Sequence, residues 1–174
     1  MKIRIYIIAC LLLLFSACKD LLDVEPYSFS SDSNYYENEG QILRAVNGAY
    51  ASLQGLYTND CFYSLTEMRA DNTNYQFDET DRGAQQREEI DEFMITSTNN
   101  YVNTCWRILY DNIQQTNVIL DRVDAVEFGD AALKNRYIGE TKFLRALQYF
   151  YLVRLFGEVP LLIHEVSDPE SAFA

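Results

Sequence analysis

A chain of 174 residues that is 48% hydrophobic and 14% aromatic can enclose a core, which excludes a natively disordered segment. Its 14 Lys plus Arg against 26 Asp plus Glu give a net charge of −12, a sign that repels phosphate backbones and anionic headgroups and argues against nucleic acid as a partner.

Residues 1–17 read as a leader to be set aside before the fold. Lys2 and Arg4 precede an apolar run from Ile5 to Phe15, whose eleven residues fall short of the ~20 that a spanning helix needs. A basic start, an apolar stretch, and the small residues Ser16 and Ala17 before Cys18 are the parts of an export signal. "LFSAC" resembles a bacterial lipobox, with Phe15 where an aliphatic residue is usual. That resemblance implies cleavage before Cys18 and acylation of its thiol and new amino terminus. Acyl chains, at about 0.8 kcal/mol per buried CH₂, would hold the protein to a bilayer without a spanning helix. Residues 18–38 then form the lipidated N-terminus and a tether, in which "KDLLDVEPYSFSSDSN", 19–34, is acidic, Ser-rich and broken by Pro26.

Residues 39–174 read as the folded part. From Glu39 to Gln54 the spacing of Ile42, Leu43, Val46, Tyr50 and Leu53 predicts an amphipathic helix stopped at Gly55, with Ser31, Asp32 and Ser33 as capping oxygens for a lead-in turn. Residues 56–98 are polar and weakly periodic, a connection long enough to be either an ordered functional loop or a partly disordered one. Val102, Trp106, Leu109, Tyr110, Ile113, Asn117 and Leu120 predict a second helix from Asn100 to Val123. Asn117 lies inside its stripe, so a buried amide is expected to pin a neighbouring loop or helix end.

A third helix is predicted from an Asp130 N-cap to Phe156, with Leu133, Tyr137, Leu144, Leu147, Tyr151 and Leu155 on one face. Gly157 supplies a left-handed C-cap and Pro160 bars continuation. Its last turns are apolar nearly all round, which predicts cover on more than one side. Arg154 would lie well inside a membrane span, at a cost of about 2.5 to 3.5 kcal/mol, so the helix reads as core. Arg136 and Glu140, one turn apart, read as a structural ion pair. Cys61 and Cys105 could pair in an exported chain, but two cysteines 44 positions apart make no framework, and free buried thiols are expected.

"WRILYDNI" matches part of the tetratricopeptide pattern through Trp106, Leu109 and Ile113, with Ala146, Phe150 and Pro160 following, although Trp106 and Ala146 stand 40 positions apart. With the lipobox, Leu22-Asp23-Val24-Glu25-Pro26, "AVNGAYASL" at 45–53 and "FLRALQYFYLVRLFGEVPLL" at 143–162, the chain resembles the N-terminal part of the SusD/RagB family of outer-membrane lipoproteins. The resemblance implies an all-α fold of tetratricopeptide-like helix pairs with long loops. It also implies a lipid-anchored, outward-facing protein of the outer membrane that binds glycan or another nutrient and delivers it to a TonB-dependent transporter, performing no bond chemistry. Family members are several hundred residues long, so the chain reads as an incomplete N-terminal portion, a fragment or a truncated product.

Sugars are held by aromatic faces and planar polar side chains. In the 56–98 loop Tyr63, Arg69, Asp71, Asn72, Tyr75 and Phe77 offer that mixture as candidate ligand residues. "DNTNYQFDETD" departs from the EF-hand pattern at Tyr75 and lacks its glycine. His164 is the single histidine, so no metal and no cofactor is expected. Glu88, Glu89, Asp91 and Glu92 read as one solvated cluster rather than the opposed carboxylates of a glycosidase. Two competing readings are a helical-repeat lipoprotein that acts as a protein-binding assembly adaptor and, further off, a lipid-anchored glycoside hydrolase.

Overall fold

The computed structural model describes residues 35–76, 78, 80 and 83–168. The chain divides into two units, residues 1–35 and 36–174, and every described helix belongs to the second. The leader, Cys18, the 19–34 tether, the capping residues Ser31 to Ser33 and Phe77 lie outside the described residues.

Asn38 opens helix α1, Glu39–Thr58, through a capping box: its side chain accepts from the Gln41 N–H at 3.0 Å, and the Gln41 carboxamide accepts from the Asn38 N–H at 3.1 Å. The helix runs one turn beyond the stop expected at Gly55, because Leu56 is fully buried and holds that turn to the core. The face expected from large residues is also rotated. Leu43 and Tyr50 are exposed, while Ile42, Ala45, Val46, Ala49 and Leu56 are buried. Small side chains permit a close approach to the neighbouring helices; a Cβ on Gly48 would come within 3.2 Å of Gln115 Nε2.

The 56–98 connection holds two short helices, α2 (Cys61–Thr66) and α3 (Gln85–Asp91). Both are anchored by a few apolar residues too sparse to register as periodicity: Cys61 and Leu65 in α2, Ile90 in α3. The acidic cluster on α3 is partly structural, for Asp91 accepts from the Tyr75 N–H at 2.9 Å and Glu89 accepts from Asn99 Nδ2 at 3.0 Å.

Helix α4, Asn100–Arg122, starts at Asn99, whose side chain accepts from the N–H groups of Tyr101 and Val102. A 3-10 turn, Val123–Ala125, leads to helix α5, Ala131–Phe156, capped by Asp130 through the Ala132 N–H. Trp106 meets Phe156 edge-on with ring centroids 5.1 Å apart, and Lys134 pairs with Asp124 at the other end, so α4 and α5 run antiparallel. Helix α4 is central, touching α1, α2, α3 and α5. Around it Leu56, Cys61, Leu65, Ile90, Cys105, Ile108, Leu109, Ile113 and Leu152 form one apolar cluster.

On α5 the fully covered stripe is Tyr137, Thr141, Leu144, Gln148 and Leu152, two of them polar. Thr141 satisfies itself by donating to the Tyr137 carbonyl at 2.7 Å. The expected cover on several sides is absent among the described residues: Phe150 is 53% exposed and Val153 55%. Arg136 and Glu140 do form the expected ion pair, at 2.6 Å. Gly157 ends α5 with φ +79° and ψ −127°, outside the left-handed helical well expected for it but in a region that suits glycine alone.

Residues 160–166 are then strapped back along α4 and α5 by side chains. Asn117, buried as expected, donates to the carbonyls of Leu162 and His164, both at 3.0 Å, while its own oxygen accepts from Arg145 at 2.9 Å. Tyr149 donates to the Leu162 carbonyl and Tyr110 to that of Pro160. Gln114 exchanges two hydrogen bonds with the Val166 backbone, and Arg122 grips Glu165 at 2.6 and 3.1 Å. Among the described residues no helix is long and apolar enough to cross a membrane.

Candidate ligand-binding groove

A recess of about 370 Å³ opens between α2 and the last turns of α5, lined by Phe62, Thr66 and Glu67 on one side and Phe150, Tyr151 and Arg154 on the other, with Leu65 and Leu155 at its base. The two walls meet because Leu65 and Leu152 belong to one core cluster, which turns Phe62 and Tyr151 toward each other.

Three aromatic contacts order the walls. Tyr57 and Phe62 meet edge-on at 5.4 Å, Phe62 and Tyr151 at 4.8 Å, and Phe150 leans on Tyr151 at 5.8 Å. The Tyr57 and Tyr151 hydroxyls share a hydrogen bond of 3.0 Å, which is the main cause of the Tyr57 phenol rising to about 12, burial adding to it. The Tyr57 phenol is therefore neutral at physiological pH and can donate as well as accept. The Arg154 guanidinium stands 5.3 Å over the Phe150 ring, is exposed, and has no carboxylate partner among the described residues. Glu67 is exposed on the opposite lip. Chemically this is an apolar face with a cation, a carboxylate and hydroxyls at its rim, which suits a polyhydroxylated ring better than a purely hydrophobic ligand. A wider recess of about 740 Å³ beside Tyr149, Val153, Gly157, Glu158, Val159 and Leu161 is lined chiefly by apolar atoms and has a carboxylate but no cation among its lining residues.

None of the described residues singled out in the loop lines the groove. Tyr63 is 55% exposed on α2, next to Phe62. Arg69 lies 4.4 Å over the Phe93 ring, and its Nε is buried without a hydrogen-bond partner among the described residues. Asp71 and Asn72 are exposed in the turn that follows. Tyr75 is fastened through its N–H to Asp91, and its hydroxyl packs so close to Gly83 that a Cβ there would sit 2.7 Å away. The structure thus ties Arg69 and Tyr75 to the α3 region and leaves Tyr63, Asp71 and Asn72 facing solvent. The groove residues escaped the sequence reading because Phe150, Tyr151 and Arg154 sit in a helical run that passes for core, while Phe62 and Glu67 sit in a connection without periodicity. The signal that was present is Arg154 next to aromatic residues in a stretch too apolar to leave a charge unused.

The comparisons with known proteins agree on one group. A family profile described as starch-binding, associating with outer membrane matches residues 20–172. SusD-like protein P25 of Formosa agariphila is 29% identical over 92% of this chain and 31% of its own length. SusD-like protein P38 of the same organism is 27% identical over 84% of this chain and 27% of its own length. A SusD-like protein of Bacteroides ovatus is 25% identical over 93% of this chain and 29% of its own length. The chain thus spans under a third of the length of these relatives. No solved structure matches. With its helical architecture and a profile that takes in most of the chain, the chain belongs to the SusD-like family of outer-membrane-associated proteins.

Proposed function

We propose that this chain is the N-terminal part of a surface-exposed lipoprotein that binds glycan at the outer membrane and delivers it to a TonB-dependent, SusC-like transporter. The observation that carries the binding half is the groove, in which Phe150 and Tyr151 offer ring faces while Arg154, Glu67 and Thr66 offer hydrogen-bonding groups for sugar hydroxyls. Family membership supports the location and the substrate class. The anchor would be Cys18, acylated after removal of residues 1–17, with the 18–38 tether carrying the domain outward. Tyr63, Arg69, Asp71, Asn72, Tyr75 and Phe77 would extend the ligand surface beyond the groove, and Tyr63, one residue from Phe62, is the first of them to test. The protein binds and passes on its ligand, and no residue is assigned a catalytic role.

Affinity electrophoresis of the full chain through gels containing starch or other polysaccharides tests this reading. Retardation is expected, and Phe150→Ala and Arg154→Ala should each weaken it by about 5- to 20-fold, consistent with 1–2 kcal/mol for an aromatic or charged contact. Migration unaffected by any polysaccharide would end the glycan reading for this part of the protein. A protein-binding adaptor is the second reading, favoured by the exposed Phe143, Phe150 and Val153 on the outer face of α5. Recovery of the transporter by the full chain, lost in Phe143→Ala and Val153→Ala with no retardation by any polysaccharide, would mark that face as the partner surface and favour the adaptor.

A further inference from the structure

Two thiols that the ligand chemistry does not use lie together in the core. Cys61 is the first residue of α2 and Cys105 sits in the second turn of α4; both are 0% exposed and both are free. They belong to the same apolar cluster as Leu56, Leu65, Ile90 and Leu109, at the place where α2 packs on α4. Cys61 Sγ reaches the Leu56 carbonyl at 3.9 Å, and the neighbouring thiol draws Cys61 down to about 7 and, together with burial, pushes Cys105 up. Helix α2 has only six residues, begins at Asp60 in the left-handed region with φ +56°, and has no side-chain cap; besides this patch of core it is held by the Phe62 ring contacts with Tyr57 and Tyr151 and by the Arg87–Asp60 ion pair at 2.8 Å.

We propose that Cys61 and Cys105 are a disulfide-forming pair that closes in an oxidising compartment and cross-links α2 to α4, behind the Phe62 and Thr66 wall of the groove. The proposal rests on the export implied by residues 1–17. The oxidant is an external disulfide, either that of an envelope thiol-disulfide oxidoreductase or glutathione disulfide. The Cys61 thiolate attacks one of its sulfurs, breaking the oxidant's S–S bond and releasing one thiolate. Cys105, after losing its proton to water, attacks Cys61 Sγ, forms the Cys61–Cys105 bond and expels the second thiolate. Two electrons pass to the oxidant, and the two protons end on its thiols. Both sulfurs are buried once α2 is docked, so exchange occurs while α2 is still off α4.

The test uses the full chain, reduced and unfolded, then refolded in a buffer of oxidised and reduced glutathione, trapped with an alkylating agent and mapped by mass spectrometry of its tryptic peptides. The expected product joins the peptide carrying Cys61 to the one carrying Cys105, survives alkylation until reductant is added, and is lost in Cys61→Ser. Reduction should lower the melting temperature by roughly 5 to 10 °C, since the bond closes a loop of more than forty residues. Alkylation of both Cys61 and Cys105, or glutathione on each of the two with no cross-link, would overturn the pairing. A second arm weighs the protein taken from cell envelopes. An uncut leader there, with the cross-link formed in vitro, would remove the export reading and keep the pair. A cut leader with both thiols free would do the reverse.

Discussion

At the scale of single residues, Asn117 does more for the fold than its position in an apolar stripe suggests. One carboxamide holds two carbonyls of the 160–166 segment and orients Arg145, which itself donates to the Ile163 carbonyl at 2.9 Å. Asn117→Ala should therefore cost about 2–3 kcal/mol in urea unfolding, because it leaves buried acceptors unpaired as well as removing bonds. It should also speed proteolysis after Pro160. Asp121 makes a pH prediction. Burial alone would raise its carboxyl, but the Glu165 N–H at 2.7 Å and His164 at 3.0 Å outweigh it and hold the group below the usual carboxylate range. A lowered folded value means that Asp121 contributes stability above the unfolded Asp value of ~3.9 and loses it as pH falls through the folded one. Melting temperatures followed downward from pH 5 should show that loss in the native chain and a shallower fall in Asp121→Asn. The sequence made Asn117 legible because an amide among apolar neighbours has few bland explanations. Asp121 and Arg122 were not legible, since their partners lie more than forty residues away.

At the scale of elements, two glycines of α5 separate backbone conformation from packing. A Cβ would meet nothing within 4 Å at either Gly139 or Gly157. Gly139 has helical geometry inside α5, so Gly139→Ala should raise stability by about 0.5–1 kcal/mol. At Gly157, with φ +79°, the same change should lower it by about 2 kcal/mol from strain alone. Equal effects from the two substitutions would show that something other than backbone conformation sets them. The three long helices were readable because each repeats apolar residues over at least four turns. Their buried faces were less so: on α1 alanines at 45 and 49 do the packing while Leu43 and Tyr50 stay outside, and on α5 Thr141 and Gln148 occupy the covered stripe. Periodicity weighs side chains by hydrophobicity, whereas close helix contact selects small ones such as Ala45 and Ala49 or self-satisfied ones such as Thr141; Gln148 keeps a buried Oε1 with no hydrogen-bond partner among the described residues. Helices α2 and α3 went unread because one or two buried residues in six or seven cannot establish a period.

For the molecule as a whole, Leu109 ties the helices together: it is fully buried in the cluster that α1, α2, α3, α4 and α5 all enter. Leu109→Ala should cost about 3 kcal/mol and shift far-UV and Trp106 fluorescence transitions together, as expected when one core serves every helix. Separate transitions would mean that the α2–α3 region unfolds on its own. The amino-acid order by itself determined the class of the fold, the limits of α4 and α5 to within a residue or two, and the family, because those depend on local periodicity, caps and contiguous text such as "FLRALQYFYLVRLFGEVPLL". Only the tertiary structure decided where a ligand groove could open, which face of each helix is covered, and that Cys61 lies against Cys105. Those are pairings between residues some forty to ninety positions apart, and nothing local in a chain records which distant surface will meet it.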